Sequence, residues 1–178
     1  MATPELNLEQ VQYIVRQLAE FITDQRQKLA PLAQPLTEEQ RVCFAPYFPT
    51  SILTNTRFVR VDNLVDPPFY PELEKLGFSN LPQSSSMAAA TFVDVVAAQQ
   101  DFYDVLRFHE LVHALQYQQL GLAGFAERYV AGFMNGGGYE HIPLEQNAYE
   151  LDRRFAADPH QKIDVLAEVN RWIREERF

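Results

Sequence analysis

Residues 106–117, LRFHELVHALQY, constrain the fold of this chain more than any other stretch of its sequence. Apolar residues recur here at helical spacing and predict an amphipathic helix with one side against a core. This apolar stripe consists of Val105, Phe108, Val112 and Leu115. His109 and His113 share a different side of the helix, so packing does not require them.

His109 and His113 stand one helical turn apart, the spacing at which two imidazoles reach one metal ion. Glu110 is rotated by about 100° from His109 around the helix axis. It is therefore poorly placed as a third ligand and well placed, as a general base, to reach a metal-bound water. The alternative is a pair of surface or core histidines that bind no metal, although a chance His-Glu-x-x-His is rare in a chain with 4 histidines.

Composition restricts the kind of site and the class of protein. Cys43 is the only cysteine, so a metal must be held by His and carboxylate ligands; the cysteine itself is expected to be a small buried residue. The net charge of −9, with scattered Lys and Arg, is untypical of a nucleic-acid-binding protein. The chain has no secretory signal pattern and no apolar run long enough to cross a bilayer. We therefore expect a cytoplasmic protein with one domain over 1–178 and no nucleic-acid or membrane partner.

Periodicity and helix boundaries predict an α+β, mainly helical fold in three parts. Residues 1–54 are expected to be helical, with capping boxes at Asn7 and Thr37 and a first helix that ends near Leu29. Residues 55–99 are expected to form a small sheet, with one strand in 55–62 and another in 91–96. Residues 100–178 are expected to hold the metal-binding helices.

Four helices are expected in this last part. The first ends at Gly121, the second carries an apolar stripe through 122–133, the third opens at Pro143 and the fourth at Asp158. The glycine-rich stretch 135–138 is expected to be an ordinary flexible connection, with a mobile lid as the alternative.

Two imidazoles alone hold zinc weakly, so a third protein ligand is expected after the HELVH helix. Glu145 stands in the first turn of a predicted helix, and Glu140 and Glu150 are the other carboxylates in reach. His141 and His160 lie in a loop and near a helix start, where they form no comparable pattern.

At these residues the sequence resembles zincin metallopeptidases whose third ligand is a glutamate. Those proteins carry a second helix with a Glu-x-x-Ala-Asp pattern, and EQNAY at 145–149 matches it up to the last position. A closer resemblance is to uncharacterised bacterial zincin-like proteins in which HELVHALQYQQLGL, FAERYVAGF and IPLEQNAYELDRRF occur in this order. That resemblance covers roughly the second half of the chain.

The resemblance implies a zincin-like single domain with a small sheet beside the HExxH helix, whose last strand forms an edge of the cleft. It also implies a Zn²⁺ site formed by His109, His113 and Glu145, in a hydrolase that cleaves a peptide bond with zinc-bound water and Glu110 as general base. The partner is then a peptide or protein substrate that pairs with the edge strand in 91–96. The alternative is a non-catalytic zinc-binding module with a structural or partner-binding role.

Tyr149 departs from the family pattern, because the family's Asp at this position accepts a hydrogen bond from a ligating imidazole. Either Asp152, on a similar helix face, takes over this role, or the Tyr149 phenol is catalytic and donates a hydrogen bond to a developing oxyanion. Tyr139 and His141 are the other candidate donors. Gln116, on the histidine face, is expected to support a ligand through a hydrogen bond.

Overall fold

The computed structural model describes residues 6–78, 81–134 and 138–178, and within these ranges it contains seven α-helices and four short β-strands. The helices are α1 (Leu8–Leu29), α2 (Glu38–Phe44), α3 (Thr50–Asn55), α4 (Tyr70–Lys75), α5 (Asp104–Met134), α6 (Pro143–Ala157) and α7 (Val165–Arg174). The strands are β1 (Gln34–Pro35), β2 (Arg57–Arg60), β3 (Ala89–Phe92) and β4 (Val95–Ala98). The prediction of a mainly helical α+β fold is confirmed.

Side-chain caps fix where the first two helices begin. Asn7 and Gln10 form a capping box at the start of α1, and Thr37 and Gln40 form another at the start of α2. Each pair satisfies two backbone N–H groups that the first helical turn leaves without partners. Both predicted capping boxes are confirmed, as is the end of α1 at Leu29.

The long helix α5 consists of two helical segments joined by a kink at Gly121. This residue has φ 70° and ψ 168°, a conformation that glycine adopts without the strain a Cβ would cause. The predicted break is therefore present, and the helix resumes directly after it. A Cβ at Gly132 would lie only 2.7 Å from Cδ of Pro143, so the absence of a side chain lets α6 begin against α5. Residues 135–137 of the predicted connection lie outside the described residues.

The sheet is mixed, with strand order β1-β2-β4-β3. Strands β2 and β4 are parallel, whereas the outer pairs β1–β2 and β3–β4 are antiparallel. The two-residue strand β1 extends the sheet beyond the predicted range 55–99. Strand β3 lies at the edge and packs beside α5, which places an edge strand next to the histidine helix.

The prediction of one strand through 91–96 is wrong, because the chain reverses within it. Val93 has φ 65° and forms with Asp94 the turn between β3 and β4, so Thr91 pairs with Val96 of the adjacent strand. Arg26 of α1 donates two hydrogen bonds to the Asp94 carboxylate and so holds this turn. The β-branched and aromatic residues on both sides of Asp94 concealed the reversal.

Two further predictions are wrong. The terminal helix begins at Val165 rather than Asp158, because the Asp164 side chain supplies the N-cap by accepting a hydrogen bond from the backbone N–H of Ala167. Cys43 is exposed rather than buried, since Phe44 is the one residue of the short helix α2 that is buried in the core.

Packing of α5 on α6 sets the orientation of the histidine face. Phe108, Val112 and Leu115 are fully buried, which confirms the predicted apolar stripe. The Phe108 ring stacks on that of Phe155 of α6, with ring centroids 4.5 Å apart. With this side of α5 fixed against the core, the side that carries the histidines faces the start of α6. No helix among the described residues combines the length and apolar character needed to cross a membrane.

Candidate metal centre

Three potential metal ligands converge between α5 and α6. The Nε2 atoms of His109 and His113 lie 3.0 Å apart, and Oε2 of Glu145 lies 3.4 Å from the first and 3.3 Å from the second. All three side chains are buried. The structure thus brings together the two histidines and the glutamate that the sequence analysis singles out.

The outer ring nitrogens of both histidines face hydrogen-bond acceptors. Nδ1 of His109 lies 2.7 Å from Oδ2 of Asp152, and Nδ1 of His113 lies 2.8 Å from Oε1 of Gln116. The Gln116 amide is held in this orientation because its Nε2 donates to the backbone oxygen of Leu144 and to Oδ1 of Asn147. A carboxylate and an amide oxygen can only accept, so both Nδ1 atoms carry a proton, and each imidazole in its neutral form has its lone pair on Nε2.

These tautomers leave three acceptor atoms facing one another. Oε2 of Glu145 is buried without a hydrogen-bond partner. It lies 3.4 Å from Nε2 of His109 and 3.3 Å from Nε2 of His113. Three buried acceptors at such short separations repel one another unless a cation lies among them. The arrangement therefore favours a shared cation, which is either a metal ion or a proton.

The separations fit a tetrahedral metal ion. Ligand atoms that bind zinc at about 2.0–2.1 Å in a tetrahedral array lie about 3.3 Å from one another. The three observed separations, 3.0, 3.3 and 3.4 Å, lie close to this value. Nitrogen and carboxylate oxygen donors suit several divalent ions, and zinc is prominent among them.

The electrostatics of the three side chains agree with the need for a cation. Burial lowers the pKa of His109, but its hydrogen bond with Asp152 and the nearby negative charge of Glu145 outweigh this effect and raise it to about 10. Burial raises the pKa of Glu145, but the nearby imidazoles, with His113 the largest contributor, hold it well below its ordinary value. The carboxylate is therefore ionised, and any metal that binds competes with a proton.

Glu110 lies beside these ligands without joining them. Its side chain is buried, and its Oε2 accepts a hydrogen bond of 2.6 Å from Oγ1 of Thr91 on the edge strand β3. The two cavities that adjoin the site are both lined by Glu110. Its carboxylate is thus fixed in orientation and remains accessible to a molecule bound between α5 and β3.

The rival carboxylates are directed elsewhere. The side chain of Glu150 is 43% exposed and lies 4.0 Å from Arg171 on α7, while Glu140 is exposed. Ala148 is fully buried in the core cluster that α5 and α6 share. Of the three candidate third ligands, only Glu145 reaches the histidines.

Two tyrosines and one histidine proposed as hydrogen-bond donors lie around the site. The Tyr149 ring packs on the His109 ring with centroids 4.7 Å apart. Burial, and the carboxylates of Glu145 and Asp152, raise the pKa of Tyr149 to about 12. Tyr139 lines both adjoining cavities and, mainly through burial, has a pKa well above its ordinary value, whereas His141 is exposed.

The site opens into two cavities with different linings. The first, here called the apolar cavity, extends from Glu110, His113 and Glu145 between α1, β3 and the second segment of α5. The second, here called the polar groove, runs past His109 and Asp152. Its other polar lining residues include Glu110, Glu140, His141 and Tyr149.

Some residues of the site escaped the sequence analysis. Thr91 was not recognised as the partner of Glu110, because the side of the sheet on which its side chain lies depends on the strand register. That register depends in turn on the unexpected turn at Val93. Asn147 was also missed, although its position two residues after Glu145 offered a weak indication. Gln116 accepts a hydrogen bond from the ligand His113, as predicted, and Asp152 occupies the role considered for it.

Comparisons of the chain with protein-family models, with curated proteins and with solved structures found no match. The function must therefore be inferred from the geometry of the site.

Proposed function

We propose that this protein is a zinc-dependent, zincin-like metallopeptidase that acts on a peptide or protein substrate. The observation that carries the proposal is the convergence of three buried potential metal-ligand atoms, on His109, His113 and Glu145, directly beside an oriented Glu110. Three protein ligands would leave the fourth position of a four-coordinate zinc ion open, which is typical of catalytic rather than structural zinc.

The three ligands would hold Zn²⁺, with Asp152 and Gln116 fixing the two imidazoles. A bound zinc ion lowers the pKa of water and polarises a carbonyl group. Glu110 takes a proton from the attacking water and transfers it to the leaving amine. The hydrogen bond from Thr91 keeps the carboxylate in one orientation for both transfers.

A hydrogen-bond donor is also needed for the oxyanion that forms during peptide hydrolysis. Tyr149 and Tyr139 both fit this role, because their raised pKa values keep the phenols protonated at neutral pH. Tyr149 lies against the His109 ring, whereas Tyr139 lies where the two cavities meet. We favour Tyr149, the residue that replaces the family's aspartate.

An extended substrate can bind along strand β3. This strand is at the edge of the sheet, and the range 87–92 borders both cavities. A peptide that adds to this edge gains main-chain hydrogen bonds and passes Glu110, which Thr91 links to the strand. A proline in place of Ala89 is then expected to impair cleavage, since the backbone N–H of Ala89, unlike that of Ala90, points away from β4 toward the open edge.

The competing function is a non-catalytic zinc-binding module. A structural zinc site closes all four positions with protein ligands and has no use for a general base. The metal-ligating cluster found among the described residues contains three ligands, and Glu110 faces the open side. These features favour an enzyme.

Metal content and catalysis can be tested separately. Zinc per chain is measured by mass spectrometry in protein purified without a metal-affinity tag, for wild type, Glu145→Ala and the matched control Glu150→Ala. We expect about one zinc in wild type and in Glu150→Ala, and loss of zinc in Glu145→Ala. Glu110→Gln is then expected to keep zinc and lose cleavage of a peptide library. A wild type that cannot be loaded with zinc would refute the proposal, and zinc-loaded wild type without peptidase activity would favour the non-catalytic module.

A further inference from the structure

The two cavities that meet at the site differ in how their charges are distributed. In the apolar cavity, the acidic, basic and histidine side chains among the described lining residues are Glu110, His113 and Glu145, which all lie at the metal-binding end. The polar groove instead carries ionisable groups along its length, including His109, Glu140, His141 and Asp152. A ligand that spans the site therefore meets different chemistry on each side of Glu110.

Beyond its metal-binding end, the apolar cavity has walls of aromatic and aliphatic side chains. Three elements contribute to them: Phe21 and Ile22 from α1, Phe92 from β3, and Phe125 and Tyr129 from the second segment of α5. Phe21 and Phe92 contact edge to face, with ring centroids 6.1 Å apart. The rings of Phe125 and Tyr117 stack at 3.7 Å. These contacts fix the walls of the cavity beyond its metal-binding end. The side chains of these walls offer no charged partner to a polar group of a bound ligand.

The size of the cavity restricts its occupant. Its volume is about 90 Å³. An engineered protein cavity that holds benzene has roughly 150 Å³. A branched aliphatic group therefore fits better than an aromatic ring, and a charged group is excluded by the cost of its desolvation.

We infer that the apolar cavity is the substrate's specificity pocket, and that the substrate carries a branched aliphatic side chain next to the scissile bond on the His113 side. The opposite side of the substrate lies in the polar groove and carries polar or charged groups. This inference rests on the proposed metal-dependent function, because the cavity selects substrate only if the reacting bond lies at the His109, His113 and Glu145 cluster.

Hydroxamates, which bind metals through two oxygens, allow the pocket to be tested without turnover. Binding of acetohydroxamate and of 4-methylpentanohydroxamate to the zinc-loaded protein is measured by calorimetry. Burial of the added aliphatic carbons is expected to tighten binding at least about tenfold. Ala90→Leu partly fills the apolar cavity and should abolish the gain, whereas the matched control Ala88→Leu, in the polar groove, should retain it.

A second variant protects the test against misfolding of Ala90→Leu. Phe21→Ala enlarges the cavity and should make phenylacetohydroxamate bind at least about fivefold tighter than it binds to wild type. Equal affinity of wild type for the two aliphatic hydroxamates would overturn the inference while leaving the metal site intact. A gain that survives in a folded Ala90→Leu, or no effect of Phe21→Ala on phenyl binding, would also overturn it. Failure to bind zinc would instead overturn the proposed function, and the inference with it.

Discussion

Asp152 is expected to set the metal affinity of the site through His109. Replacing it with Asn keeps the size of the side chain and one acceptor oxygen, but removes the negative charge 2.7 Å from Nδ1 of His109. A hydrogen bond to a charged group contributes about 1.5–3 kcal/mol, and a neutral one about 0.5–1.5 kcal/mol. Because Asp152 is only 7% exposed, solvent screens this difference little. Zinc binding should therefore weaken by about 1–2 kcal/mol, or about 5–30-fold in Kd.

The assay is competition for zinc against a fluorescent chelator at pH 7. Glu150→Gln is the matched control, because it removes the same charge from the same helix at a side chain that is 43% exposed and has no contact with the histidines. We expect less than about a twofold change in this control. Thermal unfolding of the metal-free variants verifies that both are folded. If Asp152→Asn binds zinc as tightly as Glu150→Gln does, the hydrogen bond between Asp152 and His109 does not control the basicity of His109 or the zinc affinity.

Four further outcomes are expected. Chelation of zinc should lower the Tm by about 5–10 °C relative to protein that contains free zinc at 100 times Kd. A Tm that calorimetry finds unchanged would contradict zinc binding to the folded protein. Thr91→Val should keep zinc but lower kcat for peptide cleavage about tenfold, with activity restored in Thr91→Ser; equal kcat values would show that the hydrogen bond to Glu110 is dispensable. Gly132→Ala should lower the free energy of unfolding, measured in urea, by about 1–3 kcal/mol, because the added Cβ clashes with Pro143 at the start of α6. Gly124→Ala, whose Cβ would have no contact under 3.3 Å, should not lower it. Similar values for both variants would refute the close approach of α5 and α6 at Gly132. Burial raises the pKa of Glu168, but hydrogen bonds from two arginines have the larger effect and hold it below the ordinary value of 4.5. The stabilisation is therefore present above pH 4.5 and is lost as pH falls through the folded-state pKa. Glu168→Gln should be less stable than wild type at pH 7 and the difference should shrink as pH falls below 4.5, whereas a difference independent of pH would oppose this.

Local sequence patterns predicted the elements whose determinants are short in range. The capping boxes at Asn7 and Thr37, the break at Gly121 and the start of α6 at Pro143 each depend on residues within one helical turn. The terminal helix was misplaced because two Asp residues, Asp158 and Asp164, are both suitable N-caps, and only packing selects the second.

The sheet was predicted less well, because its pairing is not local. The β-branched and aromatic residues in 91–96 favour one strand as much as two short ones, and the turn at Val93 lacks the glycine or asparagine that usually marks a reversal. The contact of Arg26 with Asp94 joins residues far apart in the chain and cannot be inferred from spacing. The edge strand was expected beside the cleft. Its length, its register and the side on which Thr91 points were not predicted.

By itself, the sequence determined the chemistry available to the site. One helical turn between His109 and His113 places both imidazoles on one face, because the helix repeats every 3.6 residues. The EQNAY pattern already favoured Glu145 as the third ligand, but the tertiary structure decided between it and Glu150, since the choice depends on how α6 is rotated against α5. It also decided the partners of the imidazoles and the orientation of Glu110, because hydrogen bonds across packed elements depend on distances that no sequence spacing encodes.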